Sequence, residues 1–143
     1  MLYLDTSALV KLYAAEQGSD DVRRAIVEAS MVATATVAYV EARAAFARKF
    51  RLGEIAEAVL RRTKRDLDAD WSRLTRVDVS EQLVQRAAEL AERHELRAYD
   101  ALHLAAAHLL QATGPQPVRF KCFDHRLNRA AAASGMVVDG AQA

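Results

Sequence analysis

The chain has 143 residues, 52% hydrophobic and 27% charged, a length and balance that fit one folded core and exclude a disordered chain. Twenty Lys and Arg against 19 Asp and Glu leave a net charge of +1, so no global field draws the molecule to nucleic acid or membranes, and polyanion binding has to come from local clusters. The single cysteine, Cys122, allows no internal disulfide, the start carries no basic and apolar leader, and no run approaches the roughly 18 apolar residues that span a bilayer; a cytoplasmic protein with no membrane partner is the expectation.

Residues 1–5, MLYLD, predict a short buried strand. Thr6 or Ser7 then caps a helix to about Ala15, with Leu9, Val10, Leu12 and Tyr13 apolar, and Gly18 closes it. Ser19 opens an amphipathic helix through Val22, Ala25, Ile26 and Ala29. Met31–Thr34 predicts a strand, and Thr36 caps a helix running to Leu52, where Gly53 interrupts it. A helix over Glu54–Asp70, a strand over Leu74–Val79 and a helix from Ser80 to about His94 follow. ALHLAAAHLLQATGP is the core of a sixth helix, ended by Gly114 and Pro115; Val118–Phe123 is a strand, Arg126–Ser134 a helix with Gly135 at its end, and Met136–Val138 a last strand. Short apolar strands alternating with helices define an α/β fold. The expectation is one domain over residues 1–143, with a parallel sheet of about four to five strands covered by helices on both faces.

In such sheets ligands sit beyond the carboxyl ends of the strands, near a switch in strand order. Asp5 and Asp124 each end a predicted strand, so a parallel sheet puts both carboxylates on one edge. Glu41 lies in TVAYVEARAAFARKF among Val37, Val40, Ala44 and Ala45, facing an apolar or partly buried region, where a charge costs several kcal/mol unless something compensates it. Asp100, in LRAYDALHLAAA, sits in the first turn of its helix, where the dipole favours an anion. Singly, each of Asp5, Asp100 and Asp124 has a structural explanation as a cap, first-turn or turn acid. Gathered together, the four would repel one another unless a cation intervened. Oxygen ligands without a Cys and His cluster select Mg²⁺ or Mn²⁺ over zinc, and such an ion activates water and offsets charge on a phosphodiester.

On MLYLDTSALVKLY, the lone Glu41, LRAYDALHLAAA and FKCFDHRLNRAAAASGM, the chain resembles the PIN domains, specifically the toxin ribonucleases of the VapC type, over essentially its whole length. That resemblance implies a Mg²⁺-dependent endoribonuclease in which Mn²⁺ can substitute. Its acidic cluster corresponds to Asp5, Glu41, Asp100 and Asp124, supported by a hydroxyl from Thr6 or Ser7. It also implies an RNA substrate and a small antitoxin partner. Many relatives carry Ser or Thr before the third acid, whereas this chain has Arg97, Ala98 and Tyr99 before Asp100.

Arg48, Arg51 and His125 are candidate RNA contacts, and Arg61, Arg62, Lys64 and Arg65 form the densest basic cluster, which also reads as a solvated face. Tyr39, Phe46 and Phe50 make a second apolar stripe on the Glu41 helix; a helix apolar on two faces is deeply buried or shared, which predicts a homodimer mate or an antitoxin helix against part of that stripe. DLDADW imitates an EF-hand loop, but Trp71 takes the glycine position. His103 and His108 are five apart, not the four of a zinc pair; His103, one turn from Asp100, is within reach of the site, though a packed or solvent-bonded histidine is the favoured reading. Two other functions compete. A haloacid-type phosphatase needs a second Asp two residues after the first, where this chain has Ser7, and a non-catalytic RNA-binding scaffold would retain four repelling acids to no purpose.

Overall fold

The computed structural model describes residues 1–139. In chain order the elements are β1 (Leu2–Leu4), α1 (Thr6–Tyr13), α2 (Ser19–Glu28), β2 (Val32–Ala35), α3 (Val37–Arg51), α4 (Glu57–Trp71), β3 (Thr75–Val77), α5 (Glu81–His94), α6 (Ala98–Thr113), β4 (Arg119–Lys121), α7 (His125–Ala133) and β5 (Val137–Val138). Every expected element is present. Except for β2, which keeps its length one residue further on, the strands are shorter than the apolar runs that announce them, because pairing covers only part of each run.

The sheet order is β3-β2-β1-β4-β5, with every neighbouring pair parallel. Tyr3 pairs with Ala33 on one side and Phe120 on the other, so β1 is central and buried on both faces. Its alternation divides the interior. Leu2 and Leu4 enter one core with Leu9 of α1, Val22 of α2, Phe46 of α3 and Leu67 of α4. Tyr3 enters the other with Phe120, Leu90 of α5, Leu104 of α6 and Leu127 of α7. The alanine run Ala105, Ala106 and Ala107 is buried, and its small side chains let α6 approach its neighbours closely. After β1 the chain builds β2 and β3 on one flank, then crosses to build β4 and β5 on the other. The switch in strand order therefore falls between β1 and β4.

Two local expectations, both about helix caps, need correction, and the α3 stripe takes a definite form. Asp5 itself caps α1, accepting from the Ala8 N–H, so the carboxylate is not released from that duty by Thr6 or Ser7. Thr36 stands at the start of α3 with no side-chain cap bond; its backbone N–H instead reaches Val77 O at 2.9 Å. The stripe on α3 is split: Phe46 is fully buried edge-on to Tyr13, Tyr39 is half-buried and donates to Asp68, and Phe50 is exposed. On the opposite side Val40 and Ala44 face solvent.

At the far end of the sheet Lys121 is buried and reaches Asp139 at 2.9 Å, while Arg119 Nε donates to the other Asp139 oxygen at 2.8 Å. Burial pushes the Asp139 carboxyl up, but these two cations outweigh it and hold it below its ordinary 3.8. A depressed carboxyl adds stability above the unfolded value and loses it as pH falls through the folded one. Asp139→Asn is expected to destabilise the fold by about 1 to 2 kcal/mol at neutral pH. That difference should vanish as the pH drops below 3.8, as followed by urea denaturation at a series of pH values.

Candidate active site

A cleft of about 290 Å³ opens beyond the carboxyl ends of β1 and β4, lined by Asp5, Thr6, Ser7, Glu41, Arg97, Asp100, His103, Phe123 and Asp124. All four predicted acids line it, each from a different element: the end of β1, the second turn of α3, the first turn of α6, and the turn between β4 and α7. Backbone bonding joins the two strand ends. Asp5 N–H donates to Lys121 O at 3.2 Å, and Phe123 N–H donates to Ser7 Oγ at 3.3 Å.

Both hydroxyls considered from the sequence are used, for different acids. Ser7 Oγ donates to Asp5 Oδ1 at 2.6 Å, and Thr6 Oγ1 donates to Glu41 Oε1 at 2.6 Å. Asp5 is buried, and burial raises its pKa; the neighbouring His103, the Ser7 hydroxyl and the Ala8 N–H offset only part of that, and Asp100 adds to it. Glu41 is partly exposed at the cleft wall. Burial raises its carboxyl too, but the bonds from His103 and Thr6 outweigh that and bring it below its ordinary value.

His103 is packed, as the sequence favours, and also reaches the site from one turn beyond Asp100. It is 2% exposed, with Nδ1 2.8 Å from the Tyr3 hydroxyl, Nε2 2.9 Å from Glu41 Oε1 and Nε2 3.0 Å from Thr6 Oγ1. Thr6 spends its proton on Glu41, so Nε2–H is assigned as the donor to the carboxylate and Nδ1 as the acceptor from Tyr3. A titratable ring on the wholly apolar face of ALHLAAAH needs partners, and that was the available clue.

Arg97 is the side chain that reaches Asp100. Its Nε lies 3.1 Å from Asp100 Oδ2, and its Nη2 lies 3.7 Å from Asp124 Oδ2. Asp124 also caps α7 through the Leu127 N–H. Arg48, Arg51 and His125 do not line this cleft; His125 lines an adjoining cavity of about 490 Å³ together with Arg24, Lys121 and Phe123. Among the described residues no three His, Cys, Asp or Glu side chains converge on a single cation position. The donor set itself, four carboxylates with no thiolate, suits a hard divalent cation.

Fold and site together define an α/β protein with an acidic cleft at the switch point of a parallel sheet. Residues 2–133 match the PIN domain, and the chain belongs to that family. Ribonuclease VapC45 of Mycobacterium tuberculosis is 34% identical to it over 142 residues, 99% of this chain and 96% of the relative. Two solved structures share the fold. The crystal structure of Mycobacterium tuberculosis VapC20, described as a Sarcin-Ricin loop cleaving toxin, superposes with a TM-score of 0.68 at 18% identity, covering 96% of this chain and 97% of that one. A toxin-antitoxin complex from Klebsiella pneumoniae gives 0.60 at 17% identity, covering 83% and 84%.

Proposed function

We propose that this chain is a Mg²⁺-dependent endoribonuclease, acting as a single domain in the cytoplasm as the toxin of a toxin–antitoxin pair. The observation that carries this reading is the cleft itself, in which Asp5, Glu41, Asp100 and Asp124 all line one space, in a family with relatives named ribonucleases. These four residues would hold the ion directly or through water, since no three of them already converge on one position among the described residues, and Mn²⁺ would be able to substitute. When bound, the ion supplies an acidified water and offsets charge on the phosphodiester.

The chain's own residues do the positioning. Ser7 and the Ala8 N–H hold the buried Asp5 carboxylate in one orientation, and Thr6 with His103 keeps Glu41 ionised and aimed. Arg24 and His125, exposed at the adjoining cavity, are candidate contacts for the RNA backbone. An antitoxin partner is inferred from the toxin-antitoxin neighbour. A homodimer is supported by the exposed Phe50 and Leu52 at the end of α3, at 40% and 60% exposure.

Cleavage of total RNA tests the reading. Discrete fragments are expected with Mg²⁺ or Mn²⁺ and none in excess EDTA; equal cleavage in EDTA would overturn it.

A further inference from the structure

Among the residues lining the acidic cleft Arg97 is the one Lys or Arg, and it spans two acids from different elements. Asp100 belongs to the first turn of α6 and is mostly shielded, whereas Asp124 follows β4. Arg97 itself stands just before α6, makes no side-chain cap bond, and leaves its side chain 80% exposed. An exposed guanidinium of this kind is held weakly and can swing away without leaving a buried donor unpaired. The carboxylates it bridges are different: left alone on facing walls, they repel.

We propose that Arg97 is the resting counter-ion of the cleft, holding Asp100 and Asp124 until a divalent cation takes their oxygens, and then turning to a phosphate of the RNA. The inference rests on the reading of the cleft as a divalent-cation site. A guanidinium and a divalent cation compete for the same carboxylate oxygens, so each weakens the other's hold by the same factor. The freed side chain stays tethered at the lip of the cleft. Its planar fork matches two phosphate oxygens, a geometry that lysine lacks. The same residue thus opposes cation binding and favours RNA binding, two effects of opposite sign.

That opposition is what the test reads. Mn²⁺ is titrated calorimetrically into the intact wild type and Arg97→Gln without RNA, and KM for a defined RNA is measured at saturating Mg²⁺. For Arg97→Gln the Mn²⁺ Kd should fall about 2- to 10-fold. KM should rise about 10-fold, with kcat changed less. Arg97→Lys, which keeps the charge but not the fork, should return the Mn²⁺ Kd toward wild type while KM stays raised. Equal Mn²⁺ Kd values in wild type and Arg97→Gln overturn the proposal, as does a loss of both Mn²⁺ and RNA affinity, the mark of a merely structural role. Absence of Mn²⁺ binding in both proteins overturns the cation reading of the cleft and this proposal with it.

Discussion

Asp5→Asn is expected to lose Mg²⁺-dependent RNA cleavage by a factor of about 10² to 10³ while making the ion-free protein more stable. The two outcomes have one cause. Asn keeps an oxygen that can accept from Ser7 and the Ala8 N–H, as Asp5 does at 2.6 and 3.0 Å, and it caps helices as well as Asp does, so α1 should start where it did. What disappears is a buried negative charge. Without it the cleft loses the carboxylate fixed most firmly by its neighbours, and removal of one preorganised electrostatic group costs a factor of this order.

The stability gain follows from linkage. Burial raises the Asp5 carboxyl above its ordinary 3.8, so the native state holds the proton more tightly than the unfolded chain, and stability falls as pH rises between the two values. The penalty is complete above the folded value and absent below the unfolded one. In EDTA, thermal melting should therefore place Asp5→Asn above wild type at pH 7 and level with it below pH 3.8. Added Mn²⁺ should raise the wild-type midpoint and leave the variant's nearly unchanged, since only the former gains a ligand. An Asp5→Asn protein with undiminished Mg²⁺-dependent cleavage would remove Asp5 from the site.

The parts of this site that were legible in the sequence are those encoded locally. Strand-end acids at Asp5 and Asp124 and a first-turn acid at Asp100 are read from a few neighbouring letters, and a parallel sheet then brings them to one edge. Glu41 was legible from the cost of a charge among apolar neighbours, although Val40 and Ala44 proved exposed and the compensation comes from Thr6 and His103. What escaped is the pairing between distant segments. Tyr3 and His103 meet across 100 positions, a contact that exists only because β1 and α6 share the core beneath the cleft. The cap was misassigned for a different reason: Asp5, Thr6 and Ser7 all carry a suitable oxygen, and only the backbone geometry selects among them. The aromatic stripe of α3 is divided between core and surface, because the core against α1 admits Phe46 while Phe50 lies beyond the core's edge, and its period alone does not place that division.

His103→Leu is expected to destabilise the protein by about 3 to 5 kcal/mol, because the imidazole joins three elements and Leu satisfies none of its partners. The Tyr3 hydroxyl is fully buried and would lose its 2.8 Å partner. Glu41 would keep Thr6 but lose the 2.9 Å bond that helps hold its carboxyl low, so its pKa should rise. The apolar volume is largely retained, which keeps cavity formation from dominating the loss. Tyr3→Phe should cost less, about 1 to 3 kcal/mol, by leaving Nδ1 unpaired. If the bond between the two side chains is the source of both losses, the double variant is less unstable than the sum of the singles, by about 1 kcal/mol or more in a urea denaturation cycle. Strict additivity would mean that Tyr3 and His103 act through packing alone. Because the buried ring donates to Glu41, its effect on cleavage should pass through Glu41: Glu41→Gln, already impaired, should lose little further activity when His103→Leu is added.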